Sequence, residues 1–493
     1  MFRTTKAQPV KMRVVVVGAG VAGISSALAL ADDSDVDEVI LLEARKNIGG
    51  RVSSVTDPQT GLELDNCQHA CFRVYERFLQ LIARAEANDS IKLQARTVLT
   101  FTDANSGKSS ALKDGRLAPP NHMLGSMLKF PFLSLRDKTR MRRVVSAFAK
   151  MSEEERLALD DEPFIDWLRR HRQTEAAIDR FWRFFVLAAV NMSLEEASTA
   201  VCVLLFKRGL FGDPHAFDVG AFQDHLSGAL DAPFRAALDS AGVDLRCSTQ
   251  VSRLLWEDGK CRGVVVGDAT IKADSVVLAT PHHIVTRMLR GEGASDSATA
   301  VAARTSALGY TALIGLHALY DSSKTSADTT FTALIDEPII QMIFNRNAEL
   351  SAANQPPDGL QWLSTPISFA DPYLEMSDAE LQREFERVAD SMWPDSKARL
   401  QRFFVVRTKM ATCAFPVGSH KLRPAAGDAG AGLALAGDYT DQGWPSTMEG
   451  AARSGLVAAA HVLGRSWNPD SPWPDWPESP RRDSEGWTAW DCE

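Results

Sequence analysis

Several features that define other protein classes are scarce or missing in this sequence. Its seven cysteines are odd in number and scattered, with no C-x-x-C pair, so neither a disulfide framework nor a zinc site is predicted. No run of about 18 apolar residues occurs, so no membrane-spanning helix is expected. With 54 basic against 63 acidic residues, the net charge of −9 argues against a nucleic-acid partner. The remaining composition is typical of a globular chain with two or more structural units.

The strongest signal lies in residues 14–43. They read as an apolar strand, a glycine-rich turn, a small-residue helix, a second apolar strand and an acid; the turn is Gly18-Ala19-Gly20-Val21-Ala22-Gly23 and the acid is Glu43. In this pattern Gly18 permits the tight turn, Gly20 lets a pyrophosphate approach, and Gly23 lets helix and strand pack closely. Glu43 suits a free ribose 2′-hydroxyl. The pattern predicts FAD or NAD binding, and the alternative is a glycine turn without a ligand.

A second glycine pair follows the acid. Ala44 and Arg45 lead to Gly49, Gly50 and Arg51, which would place a cation near the same pyrophosphate. This segment resembles the start of the FAD-dependent amine oxidase and desaturase superfamily, whose Gly-Gly-Arg arginine pairs with phosphate. The alternative for Arg51 is a solvated loop arginine.

Polar residues gather next, at Asp65, Asn66, Gln68 and His69. The spacing of the apolar residues after them predicts a helix that opens at residue 63, with Asp65 or Asn66 as its N-cap. From the residues alone, capping and surface chemistry are favoured over a site.

An apolar ribbon at 119–133 runs directly into a basic stretch that contains Arg136, Lys138, Arg140, Arg142 and Arg143. This composition is typical of a monotopic membrane contact. It is equally typical of a hydrophobic loop that docks on the core in front of a solvated helix. Our hypothesis is that residues 121–145 touch a membrane.

The middle of the chain alternates helices and strands. Apolar helices at 161–205 indicate either the lid of a cavity or a helical subdomain core. A mixed region at 300–415 suits a sheet that forms one wall of a substrate chamber. The predicted strands and helices are a helix at 221–241, strands at 243–246, 251–256, 263–266 and 275–278, strands at 310–320, 339–344 and 403–408, and a helix at 378–392.

A second decisive stretch follows a buried strand at 433–436. Gly437-Asp438 ends that strand, where a carboxylate can bind ribityl hydroxyls. The S-x-x-E spacing of Ser446-Thr447-Met448-Glu449 predicts a capping box and a helix start. Backbone N–H groups at this helix end would stabilise the negative charge that develops on a reduced flavin. Together with the turn at the other end of the chain, this unit favours FAD over NAD.

Over residues 12–464 the chain resembles the squalene-associated FAD-dependent desaturase (hydroxysqualene dehydroxylase) family, which is related to plant-type phytoene desaturases. The matching pieces are Asp65-Asn66-Cys67-Gln68-His69, the ribbon at 119–150, Leu187-Ala188-Ala189-Val190-Asn191 with Ala197-Ser198, 276–281, Ala436-Gly437-Asp438-Tyr439-Thr440-Asp441 and Trp444-Pro445-Ser446-Thr447-Met448-Glu449-Gly450. The family has glycine where Cys67 stands. The resemblance implies that Gln68 and His69 lie near the flavin, that Val251 contacts the adenine, and that the cavity takes a long isoprenoid.

The activity that this resemblance implies is hydride transfer at flavin N5, most concretely the reductive dehydroxylation of hydroxysqualene to squalene. His69 or Asp65 would be the proton donor or acceptor. A carotenoid desaturase is the first alternative. An amine oxidase is the second, although Thr447 stands where those enzymes carry a cage tyrosine, and only Trp444 is nearby. A flavin-free prenyl carrier is the third. Because no second G-x-G-x-x-G occurs, electrons must come from or go to an external partner.

The predicted fold is α/β: a Rossmann-like FAD-binding domain of the glutathione-reductase type with a mixed α+β substrate domain. The predicted boundaries are 10–100, 221–290 and 426–465 for the FAD-binding domain, 101–220 for the helical substrate and membrane-contact region, 291–425 for the substrate sheet and helix, and 466–493 for a tail. Five of the eleven tryptophans lie in this tail, which we expect to be an extended strap or a disordered end. Since the nucleotide pattern starts within the first fifteen residues, we expect no signal peptide and a cytoplasmic protein, with a peripheral membrane contact.

Overall fold

The computed structural model describes residues 12–325, 330–357, 359–480 and 489–490. Its strands are β1 (Met12–Val17), β2 (Val36–Leu42), β3 (Ser54–Thr56), β4 (Glu63–Asp65), β5 (Cys71–Phe72), β6 (Ile91–Gln94), β7 (Val98–Asp103), β8 (Ser109–Lys113), β9 (Val219–Phe222), β10 (Asp244–Arg246), β11 (Val251–Glu257), β12 (Lys260–Val266), β13 (Ala269–Lys272), β14 (Ser275–Leu278), β15 (Tyr310–Tyr320), β16 (Phe331–Ile335), β17 (Met342–Asn345), β18 (Gln361–Ser368), β19 (Leu400–Cys413), β20 (Leu433–Leu435) and β21 (Ala489–Trp490).

The helices lie between these strands, and seven of them, α3–α9, follow one another between β8 and β9. They are α1 (Val21–Ala31), α2 (Glu76–Arg84), α3 (Leu124–Lys129), α4 (Leu135–Lys150), α5 (Glu153–Leu157), α6 (Phe164–Arg170), α7 (Glu175–Ala177), α8 (Arg183–Val190), α9 (Thr199–Leu204), α10 (Leu226–Ser240), α11 (His282–Met288), α12 (Asp296–Ser306), α13 (Arg346–Glu349), α14 (Asp378–Met392) and α15 (Met448–Val462). Two π-helical turns belong to the middle region: Ile178–Trp182 joins α7 to α8, and Leu205–Leu210 continues α9.

A five-stranded parallel sheet in the order β10-β2-β1-β14-β20 forms the nucleotide-binding half. The central strands are continuous apolar runs because helices cover both faces of such a sheet. The predicted return of the strand at 275–278 is confirmed, since β14 pairs in parallel with β1 and then with β20. Helix α1 packs against α15, and Gly455 permits this because a Cβ there would lie 2.2 Å from the Ala22 carbonyl oxygen.

A seven-stranded sheet in the order β19-β15-β18-β17-β16-β7-β8 forms the second half. On one face, α14 packs Leu381, Phe385 and Val388 against apolar residues of β15 and β18. The predicted helix at 378–392 is confirmed as α14, and the strand predicted at 403–408 is the middle of the longer β19. The wall-like sheet that the sequence predicted is therefore present.

A helical layer formed by α3–α9 lies beside this sheet. Its rings bury one another: Phe148 stacks on Trp167 with ring centroids 5.3 Å apart, and Trp182 meets Phe206 edge to face at 4.8 Å. The layer thus has a core of its own, which was one of the two interpretations of 161–205. Phe184 and Phe185 of α8 also line the cavity described below, so part of this layer forms a cavity wall.

The helix that the sequence predicts from residue 63 is wrong. Residues 63–65 form β4 and residues 71–72 form β5, while α2 begins only at Glu76. Asp65 caps a different helix, because its Oδ1 accepts a hydrogen bond of 2.8 Å from the backbone N–H of Leu226 at the start of α10. That helix also begins later than the predicted residue 221, since residues 219–222 pair as β9 with β5 and β6.

The predicted capping box at Ser446 and Glu449 is also wrong by one residue. Helix α15 begins at Met448, and Thr447 is its N-cap, accepting from the Gly450 N–H at 3.1 Å. Ser446 instead donates its hydroxyl to Asp438 and accepts from the Cys413 N–H. Glu449 accepts from the backbone N–H groups of Arg77 and Phe78 at 2.8 and 2.9 Å, so it caps α2 across the fold.

Candidate active site

A cavity of about 570 Å³ runs between the nucleotide-binding sheet, α8 and the sheet that contains β15 and β19. Residues from both ends of the chain line it. The predicted cofactor residues that lie along it are Gly18, Gly20, Val21, Ala22, Glu43, Ala44, Arg45, Gly49, Gly50, Arg51, Gln68, His69, Val251, Gly437, Asp438, Ser446, Thr447 and Met448. Of the predicted set, Gly23 lies behind this wall, in the contact between helix and strand.

The glycine-rich turn has the geometry that a pyrophosphate site needs. Gly18 has φ +101°, and a Cβ there would lie 2.7 Å from the Ala279 carbonyl oxygen. A Cβ on Gly23 would lie only 1.8 Å from the Gly18 carbonyl oxygen, so glycine is required for close packing. At Gly20 the nearest atom would be 3.8 Å away, which leaves room for a ligand beside the start of α1. The Gly49 N–H donates to the Ala19 carbonyl at 2.8 Å and ties the second glycine pair to the first turn.

Glu43 follows the last residue of β2 at the edge of the cavity. Its Oε2 accepts from the Ala19 N–H at 2.8 Å and its Oε1 from the Arg45 N–H at 2.9 Å. These bonds hold the carboxylate in one place, and each oxygen keeps a further lone pair for a ligand hydroxyl. The geometry fits the ribose of an adenine dinucleotide.

Arg51 and Asp438 join the two distant segments by a salt bridge of 2.5 Å. Burial alone would raise the pKa of the Asp438 carboxyl, but the Arg51 charge and hydrogen bond outweigh it, so this pKa lies below its ordinary value. Arg51 also donates to the Ala411 carbonyl at 3.1 Å. The sequence assigned Arg51 to phosphate and Asp438 to ribityl hydroxyls; the structure brings them together at one point of the cavity wall.

The rest of the cavity is mostly apolar. Its lining comes from α8, from β7 and β15–β19, and from the segments before α2 and β9, and most of these side chains were not predicted as site residues. They include Phe72, Tyr75, Leu99, Phe184, Phe185, Phe217, Phe331, Met342, Phe344 and Met410. The sequence signal was their apolar character, which does not distinguish a cavity wall from a packed core.

His69 presents a lone pair to this cavity. Its Nδ1 lies 2.9 Å from the Cys67 carbonyl oxygen, and because a carbonyl only accepts, Nδ1 carries the proton and Nε2 is the acceptor. Burial lowers the pKa of His69, so the ring is neutral near pH 7. It is therefore suited to accept a hydrogen bond or a proton rather than to act as an acid.

Asp65, the other predicted catalytic residue, does not line the cavity. Its Oδ1 accepts from the Leu226 N–H and the Ser54 hydroxyl, and its Oδ2 pairs with Arg346 at 3.2 Å. The carboxylate is occupied by contacts that hold the fold, so the prediction of Asp65 as a proton donor finds no geometric support. Neighbouring Gln68 does line the cavity and donates to Glu349 at 3.0 Å.

One pair of side chains on the cavity wall was not predicted from the sequence. The Nδ1 of His283 lies 2.7 Å from the Tyr310 hydroxyl, and His283 is exposed to solvent. The available signal was the run Pro281-His282-His283 directly after the carboxyl end of β14, the sheet edge where such folds bind ligands. The pair connects the cavity with bulk water.

The carboxyl edge of the parallel sheet opens into an apolar cavity. Two acidic residues, Glu43 and Asp438, lie at the two ends of the path that a dinucleotide would take along it. This arrangement is typical of an oxidoreductase that uses a dinucleotide cofactor. The family of flavin containing amine oxidoreductases matches residues 21–463, and the chain belongs to it. The protein is therefore a flavin-dependent oxidoreductase, and FAD is the cofactor that its glycine-rich turn, Glu43 and α15 would hold.

Individual relatives are distant. The chain is 22% identical to 15-cis-phytoene desaturase of Capsicum annuum over 479 residues, which cover 94% of this chain and 79% of that protein. It is 24% identical to zeta-carotene desaturase of the same plant over 490 residues, covering 92% and 81%. Among solved structures, an oxidoreductase from Methanosarcina mazei superposes with a TM-score of 0.70 at 17% identity, covering 92% of this chain and 100% of that one. This last likeness concerns the fold.

Proposed function

We propose that this flavoenzyme acts on a long apolar isoprenoid, and that its reaction is the reductive dehydroxylation of hydroxysqualene to squalene. The observation that carries the proposal is the apolar, ring-lined cavity that continues from the cofactor path. Such a wall disfavours charged substrates because it offers them few compensating partners. The motifs shared with squalene-associated desaturases support the specific substrate.

Bound FAD would supply the hydride chemistry. The overall conversion replaces a C–O bond by a C–H bond, consumes two electrons and two protons, and releases water, with the electrons coming from an external donor. The chain's own residues orient the substrate and exclude water along the apolar wall. His69 holds the substrate hydroxyl through its free Nε2, and the His283–Tyr310 pair brings protons from solvent to the cavity.

Carotenoid desaturation is the second candidate, and the names of the two plant relatives favour it. In that direction the substrate loses hydride and a proton, and the neutral His69 would accept the proton. Flavin absorbance after anaerobic mixing separates the two candidates. Pre-reduced enzyme that is reoxidised by hydroxysqualene supports dehydroxylation; oxidised enzyme that is bleached by phytoene supports desaturation instead. Squalene is the control that should change neither form.

An amine substrate is disfavoured by the position of Trp444. This ring does not line the cavity, and the guanidinium groups of Arg453 and Arg208 lie 5.3 and 5.9 Å from its centroid. It therefore cannot serve as the wall of an amine cage, and Thr447 stands in the place of the second ring. Hydrogen peroxide released when amines are added to the oxidised enzyme would contradict this conclusion. The flavin-free carrier is set aside because the family is flavin-dependent.

Peripheral membrane contact through 121–145 also remains a proposal. None of the described helices is both long and apolar enough to cross a bilayer. Leu128 and Leu135 are exposed large apolar side chains in this region, Leu135 by 72%, and α4 supplies the basic residues beside them. We expect the double variant Leu128→Asp with Leu135→Asp to sediment less with anionic vesicles than the parent, whereas Val55→Asp, an exposed site elsewhere, should not change sedimentation. Equal sedimentation of all three proteins would refute the contact.

A further inference from the structure

Residues 466–480, here called the strap, follow the last residue that the family matches, residue 463. We propose that the strap positions helix α15, which binds the cofactor. In this proposal the carboxylate of Asp470 links α15 to the helical layer on the other side of the cavity. FAD binding alone is needed for this inference, whichever isoprenoid is the substrate.

The strap is anchored on the nucleotide-binding half by two buried tryptophans. Trp473 and Trp476 belong to the same apolar cluster as α1 and α2. Gln80 of α2 bonds the backbone of Trp473 twice, accepting from its N–H at 3.0 Å and donating to its carbonyl at 3.1 Å. The indole N–H of Trp476 donates to Asp32 at 2.8 Å. The strap is therefore a specific extra layer of this half rather than a loose end.

Asp470 stands between two arginines from different parts of the fold. Its Oδ2 accepts from Arg208 at 2.9 Å, and Arg208 belongs to the π-helical turn Leu205–Leu210 of the helical layer. Its Oδ1 pairs with Arg453, a buried residue of α15. Charge-assisted bonds from one carboxylate to two guanidinium groups are strong and directional. Asp470 therefore bridges α15 and the helical layer, which form two walls of the cavity.

Arg453 contacts both Asp470 and residues at the cofactor end of α15. Its Nη1 lies 3.4 Å from Glu449, the residue that caps α2. The guanidinium groups of Arg453 and Arg208 both lie over the ring of Trp444. Trp444 begins the short loop whose following residues Ser446, Thr447 and Met448 line the cavity. A change at Asp470 would thus reach the cofactor site through Arg453, Trp444 and this loop.

The test compares Asp470→Asn with Asp475→Asn, the same change at an exposed carboxylate of the same strap. FAD is removed, and its dissociation constant is measured by titrating flavin fluorescence. Coupling between two sites of one fold is typically a factor of five or more, so Asp470→Asn should weaken FAD binding about fivefold while Asp475→Asn leaves it unchanged. Arg208→Gln, which keeps the pair between Asp470 and Arg453, should give a smaller loss.

Reciprocity supplies a second readout that a purely structural role would not move. If the strap positions the FAD site, bound FAD must stabilise the strap by the same factor. Hydrogen exchange at the Trp473 amide should therefore slow more when FAD binds to the parent protein than exchange at the Phe385 amide, which is buried in α14 of the other half and reports global stabilisation. This excess slowing at Trp473 should shrink in Asp470→Asn. If the variant misfolds, hydrogen exchange in the parent protein with and without FAD still tests the proposal. FAD affinity equal to the parent's in Asp470→Asn, or no FAD-dependent protection of the strap, would overturn the proposal.

Discussion

At the scale of single residues, the chemical role of a side chain is decided by its partners. Asp65 and Asp438 are both buried carboxylates in polar sequence clusters. Asp438 lies on the cavity in a pair with Arg51, whereas Asp65 is occupied by Arg346 and by the start of α10. His69 differs again, because its neighbour Cys67 fixes the proton on Nδ1. A buried aspartate therefore lines the cofactor cavity at position 438 and stabilises the fold at position 65.

His69→Ala should leave FAD bound but lower turnover by about 10²-fold or more, the range typical of a lost acid–base or positioning group. The flavin spectrum reports binding, and single-turnover reoxidation by the proposed substrate reports chemistry. His461→Ala, at an exposed histidine near the end of α15, is the control. Unchanged turnover in His69→Ala would remove His69 from the mechanism.

Buried histidines should make stability depend on pH. Burial lowers the pKa of His317 to about 4, from 6.5 for the free residue. Its Nε2 donates to the Asp65 carbonyl and its Nδ1 accepts from the Trp362 indole, so the folded ring is neutral. Below pH 6.5 His317 becomes protonated in the unfolded chain but stays neutral in the folded chain. The free energy of unfolding therefore falls as the pH drops towards 4. Urea unfolding across this range should show that His317→Gln, although less stable, loses part of this slope; an identical slope in both proteins would contradict the prediction.

At the scale of elements, helix ends are capped by residues that lie far away in sequence. Glu449 of α15 caps α2, and Asp65 of β4 caps α10. Local motifs such as S-x-x-E identify a helix start to within one residue. They do not reveal that the carboxylate of the acid, here Glu449, accepts hydrogen bonds from backbone N–H groups of a distant helix. This is why the sequence predicted α15 correctly and its N-cap wrongly.

Thr447→Ala should therefore destabilise the protein by about 1 kcal/mol, the usual cost of a lost N-cap, and should weaken FAD binding because Thr447 also lines the cavity. Thr447→Ser keeps the hydroxyl and should restore most of the stability. Thermal unfolding of the two apo-proteins gives the comparison. If Ala and Ser are equally destabilising, the cap assignment is wrong.

At the scale of the whole molecule, the cofactor path spans both ends of the chain. The turn at 18–23 and the α15 end at 446–448 approach the same cavity, and the sheet containing β15 forms its other side. Because FAD would contact segments from both ends of the chain, which come together only on folding, it should bind the folded state and not the unfolded one. Stability is then linked to FAD concentration.

Removing FAD should lower the free energy of unfolding by about 4 kcal/mol relative to a sample in which free FAD is a thousand times its dissociation constant. Differential scanning calorimetry of the apo-protein with increasing FAD measures this. Riboflavin, which lacks the pyrophosphate and adenosine, is the control and should stabilise far less. A melting temperature that does not rise with FAD would contradict binding at this site.

The sequence by itself determined the nucleotide-binding half and the cofactor class. Its evidence is local: Gly18 needs a positive φ, Gly23 needs close packing, and Glu43 follows at a fixed distance on the next strand. Only the tertiary structure decided that Asp65 does not line the cavity, that Arg51 pairs with Asp438, that His283 and Tyr310 line the cavity, and that Asp470 of the strap pairs with Arg453 of α15. These features depend on contacts between residues far apart in the chain, and side-chain periodicity carries no information about which distant element will supply the partner.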